Sequence, residues 1–327
     1  MSEIFDNAQK KQDELNEKIS GASEIKNQRP VFHFATPGGW CNDPNGFSQF
    51  GDKIHLFYQY HPYSTQWGPM HWGHVVSKDM LTWELQSVAL APDSAADCKG
   101  CFSGTAIEHN GKHIVAYTGV TNNGTVDIQN QCIAVGDGCV YEKLSENPVL
   151  TAADIPFEYN NEHFRDPKIW EKDGKFYMVC VLKQKDDRGA MVMFQSDDAK
   201  KWTYRGMIDS SKDGLSNMWE CPDVSVIDGK DCLIFSPQEV RKNEKLGFHD
   251  GNNSIYVTGK FDYENAKFTR EVRPENGYTA ALVDYGIDFY APETTKLKDG
   301  RTIMIGWMQT WESYITPKDY IWSGMMT

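Results

Sequence analysis

Two carboxylates share one register of the chain and a third stands one residue before it. Asp43 stands in the string WCNDPNG (40–46), Asp166 in FRDP (164–167), and Glu220 one residue before Cys221 in ECPD (220–223). In each string a residue precedes proline, and a turn glycine follows that residue by eight positions: Gly51 after Asp43, Gly174 after Asp166 and Gly229 after Cys221. Two further strings keep nearly the same count, with Gly111 eight residues after Ser103 and Gly300 nine after Ala291. Carboxylates brought together suit the hydrolysis of a glycosidic bond, in which one acts at the anomeric carbon and another protonates the leaving oxygen. Like charges in one pocket also hold pKa values apart, so that one group stays protonated near neutral pH while another is ionised. Taken singly, each string is equally an ordinary turn, because Asn, Asp, Pro and Gly are the residues turns require. The shared register is what favours a joint role.

The repeat itself is what could bring residues so far apart together. Each turn glycine opens an apolar strand: FGDKIHLFYQY (50–60), NGKHIVAYTG (110–119), DGKFYMVCVL (173–182), DGKDCLIFSP (228–237) and DGRTIMIGWM (299–308). The glycines are separated by 60, 63, 55 and 71 residues, and a second apolar segment lies upstream of each. SKDMLTWE (77–84) and SDDAKKWTYRG (196–206) add an Asp-turn-Trp element after the first and third hairpins. Units of this length with several strands each predict an all-β chain folded as a five-bladed β-propeller. A short N-terminal helix is expected over residues 3–19, on the apolar positions Ile4, Phe5, Ala8, Leu15 and Ile19. The chain thus divides into a helical extension at 1–29 and a propeller catalytic domain at 30–327. In a propeller the first strand of every blade lines the central channel, so the residues before proline converge at one mouth.

Charge narrows the partners. The 33 basic and 46 acidic residues give −13, which repels nucleic acid and anionic lipid. No apolar run approaches the ~18 residues of a membrane span. The polar N-terminal segment lacks the apolar core of a secretory signal, so a cytoplasmic location is expected. In that compartment eight cysteines read as free thiols. Cys98, Cys101, Cys132 and Cys139 are too irregularly spaced to favour zinc, and Cys221 is expected to pack. His33, His61, His71 and His74 are assigned no role. Aromatic residues make up 13% of the chain, which suits pleated sheets and sugar-binding surfaces alike. Of the tryptophans in WGPMHWGH (67–74), Trp67 is assigned to the site and Trp72 to packing.

The strings WCNDPNG, FRDP and ECPD resemble the three signature motifs of glycoside hydrolase family 32, the β-fructofuranosidases that include invertase, sucrose-6-phosphate hydrolase and fructan hydrolases. The resemblance continues in order through FYQYHP (57–62), WGPMHWGH, SKDMLTWE, ALAPD (89–93), FSGTA (102–106), DFYAPET (288–294) and IGWM (305–308). It implies a five-bladed propeller and a double displacement that retains anomeric configuration, for which the two principal carboxyl groups lie about 5–5.5 Å apart. Asp43 would be the nucleophile at C2 of a β-linked fructosyl unit, and Glu220 the general acid and then base. Asp166 would hold fructose hydroxyls and stabilise the oxocarbenium-like transition state. Asn42, Gln59, Trp67, Ser103 and Arg165 match family positions around the fructosyl ring, where amides and a guanidinium satisfy hydroxyls and Trp covers an apolar edge. Arg165 is expected to favour ionisation of Asp166 beside it. Tyr285, Asp288 and Trp307 are further candidates for the wall. No metal or organic cofactor is implied.

Two departures accompany the resemblance. Cys41 stands where the family more often has Met or Ile, and WSGMMT (322–327) ends the chain where family members continue into a C-terminal β-sandwich. The sandwich is therefore expected to be absent, leaving an apolar patch with lowered stability or self-association. The segment 238–253, QEVRKNEKLGFHDGNN, reads as a solvated loop, against the alternative that Arg241, Lys242 and Lys245 attract a substrate phosphate. The expected function is hydrolysis of terminal β-D-fructofuranosides, sucrose or sucrose 6-phosphate, by a chain whose partner is a small sugar and whose oligomeric state is open. The alternatives are a fructan hydrolase of the inulin or levan type, and a non-catalytic fructoside-binding propeller.

Overall fold

The hairpin turns set the blades. Asn110-Gly111, Asp173-Gly174 and Asp228-Gly229 all have both residues at positive φ, the type I′ geometry whose twist matches that of the flanking strands. The computed structural model describes residues 2–24, 28–211, 215–273, 277–312, 316 and 318–327. These residues form five sheets, antiparallel but for one short parallel pairing, arranged as a five-bladed propeller. Blade I holds Gly39–Phe50, Lys53–His61, His71–Ser77 and Glu84–Leu85. Blade II holds Gly100–His109, Lys112–Asn122, Asp127–Gly136 and Tyr141–Lys143. Blade III holds Tyr159–Lys172, Lys175–Gln184, Gly189–Ser196 and Thr203–Ser210. Blade IV holds Trp219–Ile227, Lys230–Pro237, Ile255–Asp262 and Lys267–Arg270, with Ala280–Leu282 also pairing on its third strand.

Blade V is assembled from both ends of the described chain. Its inner strands Tyr290–Lys296 and Thr302–Trp307 are followed by Met325–Met326 and then by Phe34–Ala35, which precedes blade I in sequence. Trp322–Ser323 pairs in parallel with Gly39 and Trp40 on the inner strand of blade I. The ring is thus stitched twice across the junction of blades V and I, and the fifth blade is a complete four-stranded sheet.

The core lies between blades. Met191, Met193, Trp219, Phe235 and Val257 fill the junction of blades III and IV, and Ile133, Phe164, Met178 and Phe194 that of blades II and III. The helix expected at 3–19 spans Glu3–Gly21 and is capped by Ser2, whose Oγ accepts the Phe5 N–H. It buries Ala8, Gln12 and Leu15 on one face and is pinned by Gln12 to the Gln86 carbonyl and by Ser2 to Asp93. Ile4, expected on that face, is exposed. Trp72, His71 and His74 are buried, as packing residues should be, and Cys98 and Cys139 are exposed among eight free thiols. No described helix is long and apolar enough to cross a membrane.

Every inner strand carries a β-bulge at the register noted in the sequence, between Cys41 and Pro44, Phe102 and Gly104, Arg165 and Lys168, Glu220 and Asp223, and Tyr290 and Glu293. A bulge bends its strand and re-aims side chains, which is how both residues before the bend can point to the channel mouth. In blades III to V the residue before proline, Asp166, Cys221 or Ala291, takes a positive φ of 59°, 46° or 51°. That region costs a non-glycine residue of order 1–3 kcal/mol and persists only where the surroundings impose it. Blade II lacks the proline for a steric reason, since a Cβ on Gly104 would lie 2.0 Å from the Ala116 carbonyl oxygen. Gly104→Ala should therefore lower stability by about 1–3 kcal/mol or more, read from the denaturant midpoint. A variant as stable as the parent would show that this strand approach is not a constraint.

Candidate active site

The bulges build two tiers of side chains around the channel mouth. The residues at the bend are Asp43, Ser103, Asp166, Cys221 and Ala291, and those just before it are Asn42, Phe102, Arg165, Glu220 and Tyr290. In the first tier Asp43 accepts hydrogen bonds from Ser103 Oγ at 2.6 Å and Asn42 Nδ2 at 2.9 Å, with Cys221 Sγ at 3.5 Å. Asn42 is itself oriented by Trp40 Nε1, which donates to its Oδ1 at 2.7 Å. Asp166 Oδ2 accepts the Cys221 N–H at 2.9 Å, and the Asp166 N–H donates to Thr118 Oγ1 at 2.9 Å. Thr118 donates in turn to Gln131, which ties back to the Phe164 carbonyl. In the second tier Glu220 is gripped on both oxygens, by Arg165 Nη2 at 3.0 Å and by the Tyr290 hydroxyl at 2.6 Å. Arg165 Nε lies 3.7 Å from Asp166, so one guanidinium bridges two of the three carboxylates.

Above these tiers lies a pocket of about 510 Å³, within the range of small-molecule sites. Asn42, Asp43, Gln59, Trp67, Ser103, Arg165, Asp166 and Glu220, all expected at the site, line it together. Gln59 is held by the Cys101 carbonyl at 3.0 Å, and Trp67 is half exposed at the rim. Three other candidates lie elsewhere. Trp307 is fully buried against Trp40 with ring centroids 5.8 Å apart, Tyr285 is 83% exposed, and neither they nor the exposed Asp288 belong to the pocket lining. Tyr290 holds the position in blade V that Glu220 holds in blade IV, and counting back from Pro292 finds it. Cys221, expected only to pack, uses its backbone and its thiol on two carboxylates.

Burial governs the protonation of the site. It pushes the Asp43 carboxyl up, helped by nearby Glu220 and opposed by the hydrogen bonds from Ser103, Asn42 and Cys221. It lifts Asp166 to about 7, although Arg165 works in the opposite direction. The expectation that Arg165 would keep Asp166 readily ionised thus meets a larger desolvation cost. Burial also raises the Cys221 thiol, with the three carboxylates adding to the effect, so it stays a neutral donor. His163 is lowered to about 4 by burial and then by Arg165, and lines the pocket as a neutral imidazole. For Arg165 burial opposes the charge, but Glu220 and Asp166 more than offset it.

A propeller whose axial mouth gathers carboxylates over a sugar-sized pocket is the scaffold of a glycosidase class, and the sequence comparisons specify which. Residues 33–327 match the family model for the glycosyl hydrolases family 32 N-terminal domain, and the chain belongs to that family. It is 38% identical to a sucrose-6-phosphate hydrolase of Escherichia coli and 36% identical to a raffinose invertase of Escherichia coli, in each case covering 91% of this chain and 61% of that protein. Among solved structures it superposes on a β-fructofuranosidase of Bombyx mori with a TM-score of 0.86 at 33% identity, over 98% of this chain and 66% of that one. A sucrose-6-phosphate hydrolase of Lactobacillus gasseri gives 0.83 at 30% identity, over 97% of this chain and 63% of that one. The chain spans about three fifths of the length of the curated relatives it matches.

The raised Asp166 pKa has a consequence for stability. A carboxyl whose folded value lies above its unfolded one stabilises fully below the unfolded value, near 3.9, and loses that contribution as pH rises through about 7. Asp166→Asn, a neutral isostere that still accepts from Cys221, should therefore raise stability at pH 8 by about 1 kcal/mol or more, with the gain vanishing near pH 4. Denaturant melts at the two pH values check this, and a destabilised variant at pH 8 would show that the ionised carboxylate holds the site together.

Proposed function

We propose that this propeller is the catalytic domain of a retaining β-fructofuranosidase, cleaving sucrose or sucrose 6-phosphate, with short fructans as the substrate alternative. The observation that carries the reading is the division of labour among the carboxyl groups. Asp43 is oriented by neutral donors from Ser103, Asn42 and Cys221, with no hydrogen bond from a cation among the described residues, which leaves a nucleophile's charge uncompensated. Glu220 is fixed on both oxygens by Arg165 and Tyr290 at the side of the pocket, where a leaving oxygen would pass.

In the first step Asp43 attacks C2 of the fructosyl unit while Glu220 gives its proton to the departing glycosidic oxygen. In the second, Glu220 takes a proton from water, which attacks C2 and releases Asp43. Glu220 acts as the acid in the first step and as the base in the second. Burial favours the protonated form of Asp166 in the resting pocket, but fructose hydroxyls donating to Asp166 stabilise its ionised form. Ionised Asp166 then faces the positive charge that develops on the sugar. Tyr290, whose phenol is held protonated by burial and by Glu220, remains a donor throughout.

Asp43→Ala and Glu220→Gln should each lower kcat for glucose release from sucrose by roughly 10³-fold or more. Proton NMR of the parent reaction should show the β-anomer of fructose formed first. An inactive parent that still binds fructose by calorimetry, or first release of the α-anomer, would overturn the reading.

A further inference from the structure

We infer that the pocket mouth selects a fructoside with an uncharged leaving group and discriminates against sucrose 6-phosphate. This rests on the glycosidase reading above, which puts the fructosyl unit on the floor formed by Asp43 and Asp166 and the leaving group beyond Glu220. The mouth beyond Glu220 carries two more carboxylates, Glu239 and Glu312, with Gln238, Asn252 and Trp311. Glu239 sits at a φ of 52°, and its Oε2 accepts from Asn217 Nδ2 at 2.7 Å. Buried Asn252 joins the two acidic segments, accepting the Glu239 N–H at 3.2 Å and donating its own N–H to Glu312 Oε1 at 3.0 Å. The carboxylates are therefore fixed parts of the wall.

Such a wall accepts hydrogen bonds from neutral hydroxyls and repels a phosphate carrying close to two negative charges. Arg241, Lys242 and Lys245 are all absent from the described lining of this pocket. Among the described lining residues Arg165 is the one Lys or Arg, and it is engaged by Glu220 and Asp166. Arg241 lines a separate hollow with Arg188 and Asn217 that shares only Glu239 with the pocket, and Lys242 pairs with Glu244 at 3.0 Å. The segment read as a possible phosphate attractor thus presents its acid to the pocket and its arginine to the neighbouring hollow.

The test compares kcat/KM for sucrose and sucrose 6-phosphate at low ionic strength and at about 0.5 M salt, where exposed charges are screened. The expected result is a preference for sucrose of at least about tenfold at low salt, narrowing severalfold at high salt. Glu239→Gln combined with Glu312→Gln should raise the ratio of sucrose 6-phosphate to sucrose turnover severalfold. The salt series on the parent decides the matter even if this variant folds poorly. Equal or preferential cleavage of the phosphate, or a gap that neither salt nor charge removal changes, would overturn the inference alone. Cleavage of neither sugar would overturn the glycosidase reading and the inference with it.

Discussion

Three carboxyl groups, two of them bridged by one guanidinium, meet at the mouth of a channel that buries them, and most of what is distinctive in this chain follows from holding them there. Isolated buried carboxylates are costly, and each of these is kept in place by donors drawn from a different blade. Ser103 of blade II serves Asp43 of blade I, the backbone of Cys221 in blade IV serves Asp166 of blade III, and Tyr290 of blade V serves Glu220 of blade IV. Each carboxylate thus depends on at least one donor from another blade. The closed ring is therefore a condition of the site, and the double stitch between Phe34–Ala35, Met325–Met326 and Trp322–Ser323 is what keeps the ring closed.

The same constraint explains the local backbone. A regular strand would send alternate side chains to opposite faces, so two neighbouring residues could not both face the channel. The bulge before each proline breaks that alternation and yields the two tiers. Strain at Asp166, Cys221 and Ala291 is the local cost, offset by the hydrogen bonds it makes available, of which the Cys221 N–H to Asp166 is the plainest example.

Much of this was legible because spacing survives where residue types change. The constant count to the turn glycine marks Asp43, Asp166 and Cys221, with Glu220 one residue before, and the turns lie where the glycines stand. Tyr290 shares the register of Glu220, two residues before a proline, but its residue type carries no mark of a carboxylate site. Trp307 lies on the second strand of its blade, one layer out from the channel, where an aromatic packs against Trp40 rather than facing a ligand. Tyr285 and Asp288 precede the inner strand of blade V, outside the repeating register. The pairing of Phe34–Ala35 with Met325–Met326 left no trace in the sequence, since two-residue strands almost three hundred positions apart have no period to reveal them.

The central claim is that Asp43 attacks carbon while Glu220 gives its proton to the departing oxygen. Rapid acid quenching of the enzyme during sucrose turnover, followed by peptide mass spectrometry, tests it directly. The account predicts the mass of one fructosyl unit on the peptide containing Asp43, present in the parent and absent from Asp43→Ala. A fructosyl adduct on the Asp166 or Glu220 peptide instead would contradict it.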